Sequence, residues 1–116
     1  MQGEYTYIRS FVCAGEVPAA RFVTFDADGK AELTAAKGEA DGVSVDSGDT
    51  GEVISVALLG PAFVEVAGAV GAGRRVEAAA DGRAVVADEG EPLGVCLTSG
   101  LATAENVDRA EIFFKG

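Results

Sequence analysis

The sequence predicts an all-β fold, a small single-domain barrel or sandwich built from two tandem pseudo-repeats of short strands with an extended N-terminal segment. Three observations predict it. Sixteen glycines and three prolines are spread along the 116 residues, as in a domain of many turns. Short apolar runs alternate with period two, and no long amphipathic helix is legible. Nearly the same eight residues occur twice, GEADGVSV at Gly38–Val45 and GEPLGVCL at Gly90–Leu97.

The duplication extends on either side of the octet. RFVTFDADGKAEL (Arg21–Leu33) matches RRVEAAADGRAVV (Arg74–Val86) in its Arg, its Val, its Asp-Gly and the basic residue and Ala that follow, at an offset of 53 residues (Arg21 to Arg74). The octets follow at an offset of 52 (Gly38 to Gly90), then DSG at Asp46 and TSG at Thr98, then the strand-like EVISVAL and EIFF. The pseudo-repeats are read as about 18–67 and 71–114, within one domain of residues 1–116.

The elements follow in order. Residues 5–13 alternate and read as an extended arm (residues 1–12) or as the domain's own first strand. In the first repeat, strands are expected over 21–25, 31–33, 43–45, 53–59 and 62–67, the last two parted by Gly60-Pro61. GAVGAG (Gly68–Gly73) reads as a link. In the second repeat, strands are expected over 74–78, 84–87, 93–97 and 110–114, with a short helical turn around 102–107. Asp28-Gly29 and Asp81-Gly82 read as two-residue hairpin turns, because Asp-Gly tolerates positive φ. Gly42 and Gly94 stand where a bend or a close backbone approach precedes a half-buried Val-x-(Val/Leu) strand. A half this small cannot bury its own apolar face, whereas two halves together can.

Charge narrows the function. Nine Lys and Arg stand against nineteen Asp and Glu, a net charge of −10, which repels nucleic-acid phosphates and anionic lipid. Arg74-Arg75 is the one adjacent basic pair, so no nucleic-acid partner is expected. The richest apolar stretch, VISVALLGPAFVEV, is interrupted by Ser55, Gly60-Pro61 and Glu65, so no membrane span is expected. The opening MQGEYTYIRS has no basic segment followed by an apolar one and does not read as a secretory signal. Cys13 and Cys96 lie among apolar neighbours and read as buried, reduced fillers.

The motifs that catalysis or metal binding would need are absent or incomplete. With no histidine and no CxxC pair, a zinc site has almost no ligands to draw on, and no Ser or Cys has an imidazole to activate it. DADG at Asp26 lacks the twelfth-position Glu of a calcium loop, since Lys37 stands there. GAVGAG lacks the G-x-G-x-x-G order. DTG at Asp49–Gly51 carries an Asp-Thr-Gly of the kind aspartic proteases use, but Gly48 precedes it where an apolar residue is needed. A hairpin-tip lysine would suit a lipoyl or biotinyl carrier domain, and Lys30 lies at such a tip without the usual neighbours. The sequence therefore reads as a non-enzyme with no cofactor and no metal. A dimeric aspartic protease using Asp49 and a carrier domain stand as alternatives.

The order YIRSFVCAGEVPAARFVTFDADGKAEL, GVSVDSGDTGEVISVALLGPAFVEV, VGAGRRVEAAADGRAVV and PLGVCLTSGLA resembles the capsid cement, or head decoration, proteins of tailed bacteriophages over about residues 7–114. The chain departs from that pattern in its RSFVC opening and its Arg74-Arg75 pair. The resemblance implies a structural protein on the outer surface of an assembled virion head, often a homotrimer, that binds the major capsid protein and braces neighbouring capsomers. An extended segment can add a strand to another chain's sheet. The segment EYTYIRSF is the candidate, with Tyr5, Tyr7, Arg9 and Phe11 on one side if extended, and with Ile8 also assigned to the capsid contact.

Overall fold

A computed structural model of the chain describes residues 6–88, 92–101 and 108–114. Tyr5 and the helical turn expected over 102–107 lie outside the described residues. The described residues form eleven strands: β1 (Tyr7–Val12), β2 (Phe22–Phe25), β3 (Ala31–Leu33), β4 (Gly42–Ser44), β5 (Val53–Glu65), β6 (Ala69–Val70), β7 (Arg75–Ala78), β8 (Ala84–Val86), β9 (Gly94–Cys96), β10 (Gly100–Leu101) and β11 (Arg109–Phe114). Nine form one sheet in the order β3-β2-β4-β5-β11-β9-β7-β8 with β1 added on β5, and β6 pairs with β10.

The pairings repeat themselves. In the first half, β2 pairs with β3 and β4, and β4 with β5; in the second, β7 pairs with β8 and β9, and β9 with β11. Strand β1 lies antiparallel on residues 53–59 of β5, and residues 60–65 of β5 lie antiparallel on β11. The second stretch of β5 thus does for the second half what β1 does for the first. Isolated bridges then tie the curled edges together, Cys13 to Ala31 and Val66 to Ala84, again 53 residues on. The Val17–Gly48 bridge of the first half is matched by the Val70–Gly100 pair of β6 and β10. Each half is a small five-stranded barrel, and the two share β5.

The cores match position for position. Cys13, Val17, Val23, Ala31, Ile54 and Val56 fill the first barrel. Val66, Val70, Val76, Ala84, Ala110 and Ile112 occupy the same places in the second. The second cluster also takes in Phe22, Val43 and Ala57, which point out of the first barrel's opposite face. This is why Phe22 and Val23 are both fully buried although adjacent: each side of β2 faces a different core. The rings of Phe22 and Phe114 lie 6.1 Å apart where the barrels meet.

Three sequence expectations are corrected. The two strands drawn either side of Gly60-Pro61 are one, because Gly60 takes φ 106° and lets the chain bend without leaving the ladder. The expected link 68–73 contains β6, held by β10. The hairpins have three-residue loops, not two. Asp26 N donates to Lys30 O and Ala79 N to Arg83 O, and only Gly29 and Gly82, both at φ 77°, are left-handed. That is the type I turn with a glycine bulge, so Asp28 and Asp81 keep ordinary backbone angles. The repeated pairing also takes in β1, where the two halves share no legible sequence pattern.

Candidate interaction surface

The repeated octet is explained by contact. A Cβ on Gly42 would overlap the Val56 side chain and come 2.8 Å from the carbonyl oxygen of Ala57, and one on Gly94 would overlap the carbonyl oxygen of Phe113. Each glycine lets the fourth strand of its barrel lie close against the last. Gly48 and Gly100 are a second such pair, facing Ile54 and Ala110 respectively.

The Asp46 and Asp49 segments are held by local hydrogen bonds between carboxylates and backbone N–H groups. Asp46 Oδ1 accepts a hydrogen bond from Ser55 N at 2.7 Å. Asp49 is exposed, and its backbone N donates to Glu52 Oε1 at 2.7 Å. Lys30 is exposed at its hairpin tip, where Asp26 Oδ1 accepts from the N–H groups of Asp28 and Lys30 at 2.9 Å. Among the described residues no group of three or more His, Cys, Asp or Glu side chains is placed to hold a metal ion. Both thiols are free and sit in separate cores. Burial pushes the Cys13 thiol above its ordinary pKa, with Glu52, Asp46 and Asp49 adding to the effect. Burial also raises the Cys96 thiol, partly offset by a backbone hydrogen bond with Thr98.

What the surface does offer is apolar. Tyr7 is 57% exposed, Val53 63% and Phe63 56%, and Ile8, Val12, Leu59 and Phe113 are also open to solvent. All seven lie on β1, β5 and β11. Directly opposed residues share a sheet face, so Val12 meets Val53, Ile8 meets Ala57, Tyr7 meets Leu59 and Pro61 meets Phe113. Ile8, Ala57, Pro61 and Phe63 line a groove of about 250 Å³ between the barrels, with Thr6, Ser44 and Arg109 at its polar margins. Thr6 Oγ1 donates to Pro61 O at 2.6 Å and ties β1's leading end across the groove.

The structure separates the residues assigned to a contact. Tyr7, Ile8 and Arg9 are exposed on β1, which is paired along its length with β5. Phe11 turns inward and stacks on Phe25 with ring centroids 4.1 Å apart. A bulge between Tyr7 and Ile8 breaks the simple alternation on which a single Tyr7–Arg9–Phe11 face was drawn. Leu59, Phe63 and Phe113 extend the apolar surface beyond the residues to which the sequence points. The run LLGPAFVEV reads as core in sequence, and only the pairing shows which of its residues face out.

The architecture is shared with a protein of known structure. The chain superposes on the crystal structure of the head fiber gp8.5 N base of bacteriophage phi29 with a TM-score of 0.72 and 18% sequence identity, covering 93% of this chain and 94% of that one. At that identity the likeness is one of fold. No protein-family model and no curated protein sequence matches the chain.

Proposed function

We propose that the chain is a capsid decoration, or cement, protein. It binds the outer surface of an assembled phage or phage-like head through the major capsid protein, as a homotrimer, and stabilises contacts between capsomers. The observation that carries this reading is the exposed apolar surface of β1, β5 and β11 on a rigid double barrel. A patch of this kind, with polar groups at its margins, marks a binding site rather than a solvated face. The fold shared with a head fiber base supports the same reading. Tyr7, Ile8 and Arg9 are the contact residues on β1, and Tyr5 precedes them. Phe11 supports them from behind through Phe25. Several weak contacts of one kind, linked in an oligomer, hold strongly through effective concentration.

The test is direct. Purified protein mixed with undecorated heads is expected to give regular surface density by cryo-electron microscopy and to raise the temperature at which heads release DNA. Ile8→Asp and Phe63→Asp are expected to abolish that density while leaving the free protein folded. Smooth heads at saturating protein would overturn the reading.

A further inference from the structure

Each barrel carries both halves of one contact, but the chain uses only two of the four. Across the junction Arg21 Nη1 donates to Asp81 O at 3.0 Å and lies 3.7 Å from Asp81 Oδ2. Phe22 N donates to Gly82 O at 2.7 Å, and a Cβ on Gly82 would stand 2.6 Å from Phe22 O. So an Arg at the head of the first barrel's β2 grips the Asp-Gly hairpin tip of the second barrel. The sequence duplicates both parts: Arg74 is the equivalent of Arg21, and Asp28-Gly29 of Asp81-Gly82.

These second copies are open. Arg74 and Arg75 are exposed, as are Asp28, Gly29 and Lys30. Gly29 has the same φ of 77° as Gly82, yet a Cβ there would meet nothing within 4 Å. The surface beside Arg74 is also the counterpart of a buried one. Val43 and Ala57 are fully buried at the junction, whereas their equivalents Val95 and Phe113 are half-buried and exposed. The two free half-contacts match in charge, with Arg74 and Arg75 on one and Asp28 on the other. Neither is engaged within the chain: Arg74 and Asp28 are exposed, and nothing lies within 4 Å of a Cβ placed on Gly29.

We infer that a second copy of this chain docks head to tail, Arg74 of one copy gripping the Asp28-Gly29 hairpin of the next. The contact continues the internal barrel–barrel interface from one molecule to another. A heterologous contact of this kind closes into a ring if its rotation permits and otherwise extends as a filament. The inference concerns copies of the chain alone and does not depend on binding to a head.

The test uses the full purified chain in sedimentation velocity from micromolar to millimolar concentration, without capsids. The native chain is expected to associate, and more weakly as salt rises. Arg74→Glu and Asp28→Arg, both exposed, are each expected to weaken association about tenfold or more with unchanged melting. The double variant Arg74→Glu/Asp28→Arg is expected to regain it. A native chain that stays monomeric at millimolar concentration would overturn the inference. So would association indifferent to either single reversal, or a double variant that fails to recover.

Discussion

Arg21 Nη2 lies 3.0 Å from Glu65 Oε1, and both side chains are only 14% exposed. The pair joins the head of β2 in the first barrel to the end of β5 in the second. The same guanidinium reaches Asp81 through its other terminal nitrogen, so one side chain fastens three segments.

Arg21→Ala is therefore expected to destabilise the fold by about 2 kcal/mol, because it strands a mostly buried carboxylate as well as removing two hydrogen bonds. Arg21→Lys should recover less than half, since an ammonium cannot reproduce a fork with two separate partners. Urea denaturation of the three proteins checks both statements.

The glycine crossings make a sharper prediction. Gly42→Ala and Gly94→Ala are each expected to cost about 3 kcal/mol or to prevent folding, because the methyl group meets strand atoms that cannot move aside, a backbone carbonyl among them. Gly68→Ala, with nothing within 4 Å and no left-handed φ, should change stability by less than about 0.5 kcal/mol. Denaturation midpoints compare them on one scale.

β1 should divide into two classes. Phe11→Ala removes one ring of a stacked pair and is expected to cost about 2 kcal/mol. Tyr7→Ser and Ile8→Ser remove exposed groups and should shift stability by no more than about 0.5 kcal/mol. Thermal melts of the three variants decide it, and the latter two keep the fold intact for binding measurements.

The thiols predict a pH dependence. A buried thiol whose pKa is raised holds its proton in the folded chain when the unfolded chain has lost it. Folding then binds more protons than unfolding, so this contribution is full below the unfolded pKa and declines as pH rises above about 8.5. The double variant Cys13→Ala/Cys96→Ala is expected to show a shallower decline above that pH. Neither thiol should react with an aromatic disulfide reagent until denaturant is added.

The duplication was legible because its task is done by residue types that have few substitutes. Gly42 and Gly94 permit a crossing, Gly29 and Gly82 a left-handed turn, and Asp-Gly marks the hairpins. The strands of each hairpin were legible because one face is apolar. The continuity of β5 was not. Gly60-Pro61 carries the local signature of a break, and only β1 on one stretch and β11 on the next hold it as a strand. β6 and β10 are two residues each, too short to show a period. The candidate surface was half legible: Tyr7, Ile8 and Arg9 stand out as apolar and basic residues in a segment outside the repeat pattern. Leu59, Phe63 and Phe113 are hidden in runs that look like core, because a strand's outward face is fixed by its neighbours and not by its composition.

Because β5 runs without interruption from the wall of one barrel into the wall of the other, neither half can melt while its companion survives. A pull applied anywhere along that shared spine is borne by both ends at once. The molecule should thus yield in one step, as a single rivet does, and not by halves.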